Sequence, residues 1–196
     1  MGRWEPDSKG RLQAAALELF VEHGYEQTTV ADIAARSGVT ERTFFRYFAD
    51  KREVLFEGTA VLQATVVEHI ASAAMDLTAL EIVGEAMAAT GEIIGQRREY
   101  SQLRQTAIAA NASLQERELL KLAALAAAAA HALRDRGVGE PTASLAAEAG
   151  VAVFKIGFER WIADEPTGSG EPVDIPSSLG DSIRSALLTL RSIAAA

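Results

Sequence analysis

With 196 residues, 48% of them hydrophobic, the chain can bury one or two cores. It has no cysteine, which excludes disulfides and thiolate metal sites. It has no apolar run long enough to span a membrane, and the polar stretch Met1–Gly10 lacks a signal-peptide core, so a cytoplasmic protein is expected. The net charge of −8 is unevenly spread: residues 1–56 carry net −1 and the remainder carries net −7.

The first informative segment runs from Thr28 to Leu55. Thr29 is placed to cap a helix, with Asp32 three residues on, the outline of a capping box. That helix carries Val30, Ile33 and Ala34 on one face and should stop near Ser37, because Gly38 supplies the left-handed conformation of a sharp exit. Val39 plugs the corner. Thr40 caps the next helix, predicted from Glu41 to about Phe48. Asp50 then caps a long helix expected from Lys51 to about Ala74, with Asp50-Lys51-Arg52-Glu53 as a second capping box. Two short helices around a glycine turn form the layout of a helix-turn-helix.

Between Arg36 and Arg52 the segment is net +3 in an acidic chain, through Arg36, Arg42, Arg46, Lys51 and Arg52 against Glu41 and Asp50. A local basic stripe on an acidic protein is the footprint of phosphate contact. Four aromatics, Phe44, Phe45, Tyr47 and Phe48, fall in five positions, too many for one narrow buried stripe. Helical spacing puts Phe44 and Phe48 together in the core and leaves Phe45 and Tyr47 facing outward.

These residues, with Ala16, Phe20 and Gly24-Tyr25 upstream and Leu55 downstream, resemble the N-terminal domain of the TetR family of one-component transcriptional regulators. The resemblance covers about the first quarter of the chain. It implies an all-α homodimer with a DNA-binding domain over residues 1–56 and a ligand-binding and dimerisation domain over residues 57–196. It further implies phosphate contacts from Thr28, Thr29, Tyr47 and Lys51. Glu41, Arg42, Thr43 and Phe45 would face base edges of a double-stranded operator. Chemically, Arg42 can reach guanine O6 and N7, and Phe45 can pack on a thymine methyl. Glu41 has two readings, an acceptor for a cytosine amino group or a favourable charge at a helix N-terminus. The family pattern is a repressor released by a small-molecule effector, with the helix after Lys51 as the mechanical link.

The rest of the chain is expected to be helical, for about nine helices in all. Segments are predicted from about Thr78 to Arg97, Tyr100 to Ala110, Leu114 to Arg136 (closed by Gly137), Pro141 to Asp164, and Ser177 to Ile193. Glu165–Pro176 reads as a flexible linker. Ala146, Gly150, Val153 and Gly157 recur at spacings of four, three and four. With Ile183, Ala186, Leu187 and Leu190 they match the family's dimer bundle; the competing reading is packing within one subunit. The run Ala123–Ala130 leaves room for a ligand or permits close packing.

Candidate ligand residues are Arg97, Tyr100, Arg104, His131, Phe154 and Phe158. Arg97, Arg98 and Arg104 cluster around Tyr100 and either meet an anion or form a solvated face. The motif Thr43–Phe48 and the arginine-rich region also look like an actinobacterial subgroup that includes the mycofactocin-system regulator, which implies an apolar or acyl ligand with an anionic head. No Glu-x-x-His pair, Gly-rich phosphate loop or Ser-His-Asp set argues for an enzyme, a metal or a cofactor.

Overall fold

A computed structural model describes residues 7–163 and 178–195, and the linker expected at 165–176 lies outside them. The described residues form ten α-helices and two short 3-10 turns, with no strand. They divide into two compact units, residues 7–58 with 102–119 and residues 59–101 with 120–163 and 178–195.

The first unit opens with α1 (Ser8–His23), whose exit is turned by Gly24 at φ 83°. It continues with α2 (Val30–Arg36) and α3 (Glu41–Tyr47). For α2 and α3 the capping chemistry read from sequence is in place. The Thr29 hydroxyl accepts from the Asp32 backbone N–H and the Asp32 carboxylate accepts from the Thr29 N–H; Thr40 accepts from the N–H of Thr43. Leu12, Ala16 and Phe20 of α1, Ile33 of α2, and Phe44 and Phe48 are buried, with the last two rings 5.2 Å apart.

The long helix expected over 51–74 is broken. Arg52–Leu55 is a 3-10 turn, Gly58 sits at φ 88°, and α4 begins only at Thr59 and ends at Ser72. Residues 56–58 interrupt the helix because buried Phe56 anchors the chain before a left-handed glycine. The continuous helix expected after Lys51 is therefore absent. The helices whose residues belong to both units are α7 (Arg98–Ala109) and α8 (Ala112–Asp135).

The second unit holds α4, α5 (Ala79–Ala89), α6 (Gly91–Ile94), the 3-10 turn Gly95–Arg97, α9 (Thr142–Ala163) and α10 (Leu179–Ala195), with most of α8. The single helix expected from Thr78 to Arg97 is split after Ala89, where the buried Thr90 hydroxyl donates to the Met87 carbonyl. Thr78 starts α5 with a full capping box to Glu81. The alanine run is shared between two environments: Ala126, Ala129 and Ala130 enter the core, whereas Ala123, Ala124 and Ala127 are exposed.

Small residues set how closely α5, α9 and α10 approach. A Cβ on Gly150 would fall 2.2 Å from Val83 Cγ1, one on Gly84 2.4 Å from Leu187 Cδ2, and one on Gly157 2.8 Å from the Ile183 Cα. Ala146, Gly150, Val153, Gly157, Ile183, Ala186 and Leu187 are buried among this chain's own helices, and Leu190 is half-buried against the same core. This corrects their assignment to the dimer surface, because side chains already enclosed by their own subunit have little area left for a partner.

Candidate nucleic-acid interface

Helix α3 presents one face to the core and one to solvent. Phe44 points inward, while Phe45 is 55% exposed and Tyr47 36% exposed. Arg42, Thr43, Phe45 and Arg46 line an open hollow of about 550 Å³. Arg46 lies 4.8 Å over the Tyr47 ring and donates to its hydroxyl at 3.0 Å. Glu41 is the acidic residue of the first turn and is exposed. The expected base-facing set therefore shares one accessible helix face, and Arg46 joins it. Sequence spacing could have placed Arg46 there, since it lies four residues after Arg42.

The expected phosphate contacts divide differently. Thr28 is 2% exposed, and its hydroxyl donates toward the carbonyls of Gly24 at 2.9 Å and Leu19 at 3.2 Å. Its hydroxyl serves the end of α1 and is not available to DNA, which corrects that assignment. Thr29 is exposed, but its hydroxyl is held by Asp32 at 2.6 Å. Hydrogen bonds from the Thr29 side chain and backbone hold the Asp32 carboxyl below the usual carboxylate range. Lys51 turns inward, donating to the carbonyls of Tyr25 at 2.6 Å and Thr28 at 2.9 Å.

The basic stripe is thinner than its sequence count. Arg36 pairs with Glu22 at 3.0 Å and Glu18 at 3.3 Å, and Arg52 pairs with Asp50 at 3.0 Å.

Residues assigned to a ligand also separate. Arg104 belongs to the first unit, where its Nε donates to the Leu55 carbonyl at 2.8 Å and its guanidinium pairs with Glu118 at 3.0 Å. Its place as a ligand contact is thereby corrected: it props the turn after α3. Nearby, Arg117 pairs with Glu53 at 2.5 Å and Asn111 donates to Glu26 at 3.0 Å. The His131 side chain is 71% exposed and meets Asp135 at 2.9 Å, which places it on a solvated face.

In the second unit Arg97 stacks over Tyr100 at 4.1 Å, and Phe154, Phe158 and Trp161 form a chain of rings spaced about 6 Å. Arg98 lies 5.8 Å over Trp161. Trp161 was absent from the expected ligand set; the i, i+3 spacing of Phe158 and Trp161 on α9 was the available signal. Among the described residues no group of three or more histidines and carboxylates is arranged to hold a metal ion, and no helix is long and apolar enough to cross a membrane.

A capped pair of short helices, with the second presenting Arg42, Phe45 and Arg46 to solvent, defines a helix-turn-helix protein. Residues 12–57 match the family described as bacterial regulatory proteins, tetR family. By this match the segment 12–57 is similar to the N-terminal domain of that family.

Residues of the same region are 53% identical over 47 positions to the HTH-type transcriptional regulator TcmR of Streptomyces glaucescens, covering 24% of this chain and 21% of that protein. A putative mycofactocin biosynthesis transcriptional regulator, MftR of Mycobacterium tuberculosis, is 37% identical over 54 residues, 28% of this chain and 27% of that protein. The chain thus matches only about a quarter of the length of these relatives. The whole fold is similar to many solved structures, of which two serve as examples. One is a TetR-family regulator from Syntrophomonas wolfei (TM-score 0.64, 20% identity, 97% of this chain and 96% of that one). The other is FadR of Bacillus subtilis in complex with stearoyl-CoA (TM-score 0.57, 21% identity, 92% of this chain and 96% of that one).

Proposed function

We propose that the chain is a sequence-specific DNA-binding transcriptional regulator, a repressor that acts as a homodimer on a palindromic operator and is released by a small molecule. The observation that carries this reading is the α3 face: Arg42, Phe45 and Arg46 are exposed beside half-buried Thr43 while Phe44 locks the helix to the core. A guanidinium fork and an apolar ring on one helix face are the chemistry that reads guanine edges and thymine methyls in a major groove. On this reading the chain acts as a regulator and not as an enzyme.

For the second copy, the exposed side of the last two helices is the candidate surface. Leu145, Ala149, Ala152 and Ile156 follow one stripe of α9 outside the buried glycine stripe, and Leu188 and Ile193 are exposed on α10. Two heads related by a two-fold axis would read half-sites about one helical turn apart. Replacing Ile156 by Glu should turn a dimer into a monomer in analytical ultracentrifugation; an unchanged mass would remove this surface from consideration.

For the effector, an acyl-type amphiphile with an anionic head fits the residues best. Arg97 with Tyr100 and Arg98 with Trp161 supply cations on aromatic faces, and Phe154 and Phe158 supply apolar area. The FadR neighbour was solved with stearoyl-CoA.

Selection of bound duplexes from a random pool tests the central reading. Recovery of a palindrome supports a dimeric operator binder. The absence of any enriched sequence, with protein freed of small molecules by unfolding and refolding, would overturn it. Release of the selected duplex by a long-chain acyl-CoA, and not by free coenzyme A, would support the effector class.

A further inference from the structure

We propose that Lys51 is a positioning residue that staples the turn between α1 and α2, and that Arg46, stacked on Tyr47, is the cation this region of the head offers to the DNA backbone. The proposal rests on the DNA-binding reading above and changes which side chains perform it.

A lysine ammonium has three N–H donors and no acceptor. Two of those on Lys51 are spent inside the head, on the carbonyls of Tyr25 at 2.6 Å and Thr28 at 2.9 Å. The ammonium also sits 4.0 Å over the Tyr25 ring, a cation–π contact, and that ring meets Phe20 edge-on at 5.1 Å. Burial pushes the Lys51 ammonium below the usual lysine range.

The turn that it grips is held at its other end by Thr28, whose buried hydroxyl reaches the carbonyls of Gly24 and Leu19. Gly24 itself takes φ 83° and donates its N–H to the Phe20 carbonyl. This chain of contacts delivers Thr29 to its cap on α2, and Ile33 and Ala34 of α2 are buried in the same unit as Phe44 of α3. Removing the ammonium frees three carbonyl and ring contacts at once, so α2 and the helix packed on it lose a fixed starting point.

Arg46 has the opposite surroundings. It is exposed on the α3 face beside Arg42, Thr43 and Phe45, and its guanidinium lies 4.8 Å from the Tyr47 ring centre with one donor on the phenol oxygen. A planar guanidinium held on an aromatic face keeps its other donors aimed outward at low entropic cost.

Salt dependence separates the two roles, because each phosphate neutralised by a protein cation contributes about 0.9 to the slope of log affinity against log salt. The test uses the full chain, a labelled mixed-sequence 30-bp duplex, fluorescence anisotropy between 50 and 200 mM KCl, and amide hydrogen exchange over residues 24–29. Lys51→Met should weaken binding about tenfold at every salt concentration, since hydrogen bonds to a charged group are lost. It should keep the wild-type slope and speed exchange at residues 24–29.

Tyr25→Leu, which removes no charge, should reproduce that pattern and stands in if Lys51→Met does not fold. Arg46→Ala should flatten the slope by about 0.9 per bound protomer and leave exchange at 24–29 unchanged. A flattened slope in Lys51→Met with wild-type exchange would overturn the proposal and restore Lys51 as a phosphate ligand. If the wild type shows no salt-dependent DNA affinity, the DNA-binding reading fails and the Arg46 role with it. The exchange measurement still decides whether Lys51 staples the turn.

Discussion

The two units of this molecule hold their helices in place by different means. In the first, polar side chains are spent on main-chain atoms: Thr29 and Thr40 cap helices, Thr28 and Lys51 bind the carbonyls of one turn, and Arg104 caps the carbonyl of Leu55. In the second, glycines remove side chains so that α5, α9 and α10 touch almost backbone to side chain. Directional bonds fix orientation, which a surface that must match a groove requires. Close packing fixes distance, which tolerates sliding between helices.

Replacements sharpen that contrast. The largest effect is expected from Phe44→Ala, which empties a fully buried site between Phe45 and Phe48. Thermal or urea unfolding should record a loss of about 3–5 kcal/mol. Gly157→Ala should come next, at about 1–3 kcal/mol, because its Cβ meets the backbone of Ile183 and cannot be accommodated by a rotamer change. Gly84→Ala should cost less, since the obstacle is the movable end of Leu187. Equal losses for the two glycines would mean that α10 slides as a unit and that spacing there is not fixed.

Arg104→Ala should destabilise the head by about 1–2 kcal/mol through the Leu55 carbonyl and Glu118, while leaving the affinity for an acyl-CoA at its wild-type value in calorimetry. A loss of acyl-CoA affinity would return Arg104 to the ligand set.

Thr29→Ala should cost about 1 kcal/mol, the usual worth of an N-cap. It also removes a pH dependence. Asp32 titrates lower in the folded head than in the unfolded chain, because Thr29 hydrogen-bonds its carboxylate. That stabilisation is present above the unfolded pKa and fades as pH falls through the folded value. Unfolding measured from neutral to strongly acidic pH should therefore show a shallower decline in Thr29→Ala than in the wild type.

Much of this architecture was legible from local chemistry. Thr29, Thr40 and Thr78 each announced a helix start, and Gly38 and Gly137 each marked an exit that the backbone takes at positive φ. The inward pair Phe44 and Phe48 followed from helical period alone. The break at 56–58 did not, because an apolar period runs through it and only the burial of Phe56 decides where the helix yields. The small-residue stripe of α9 was visible as a close-approach surface, but its partners were not. A glycine pattern says that something comes near, and only the fold shows that Val83, Met87 and Ile183 of the same chain do so. Charges were the least legible part of the site, because Arg36, Lys51 and Arg104 each find partners well separated along the sequence.

The first unit is discontinuous along the chain: residues 102–119 complete it, with Arg104, Asn111 and Arg117 bonded to Leu55, Glu26 and Glu53. During synthesis, the helix-turn-helix is therefore finished late. The ribosome must translate through α4, α5 and α6 before the last supports of the head emerge, so a chain halted near residue 60 would display α3 on an incomplete foundation. Any attempt to transplant this head as a cassette must carry the α7–α8 corner with it.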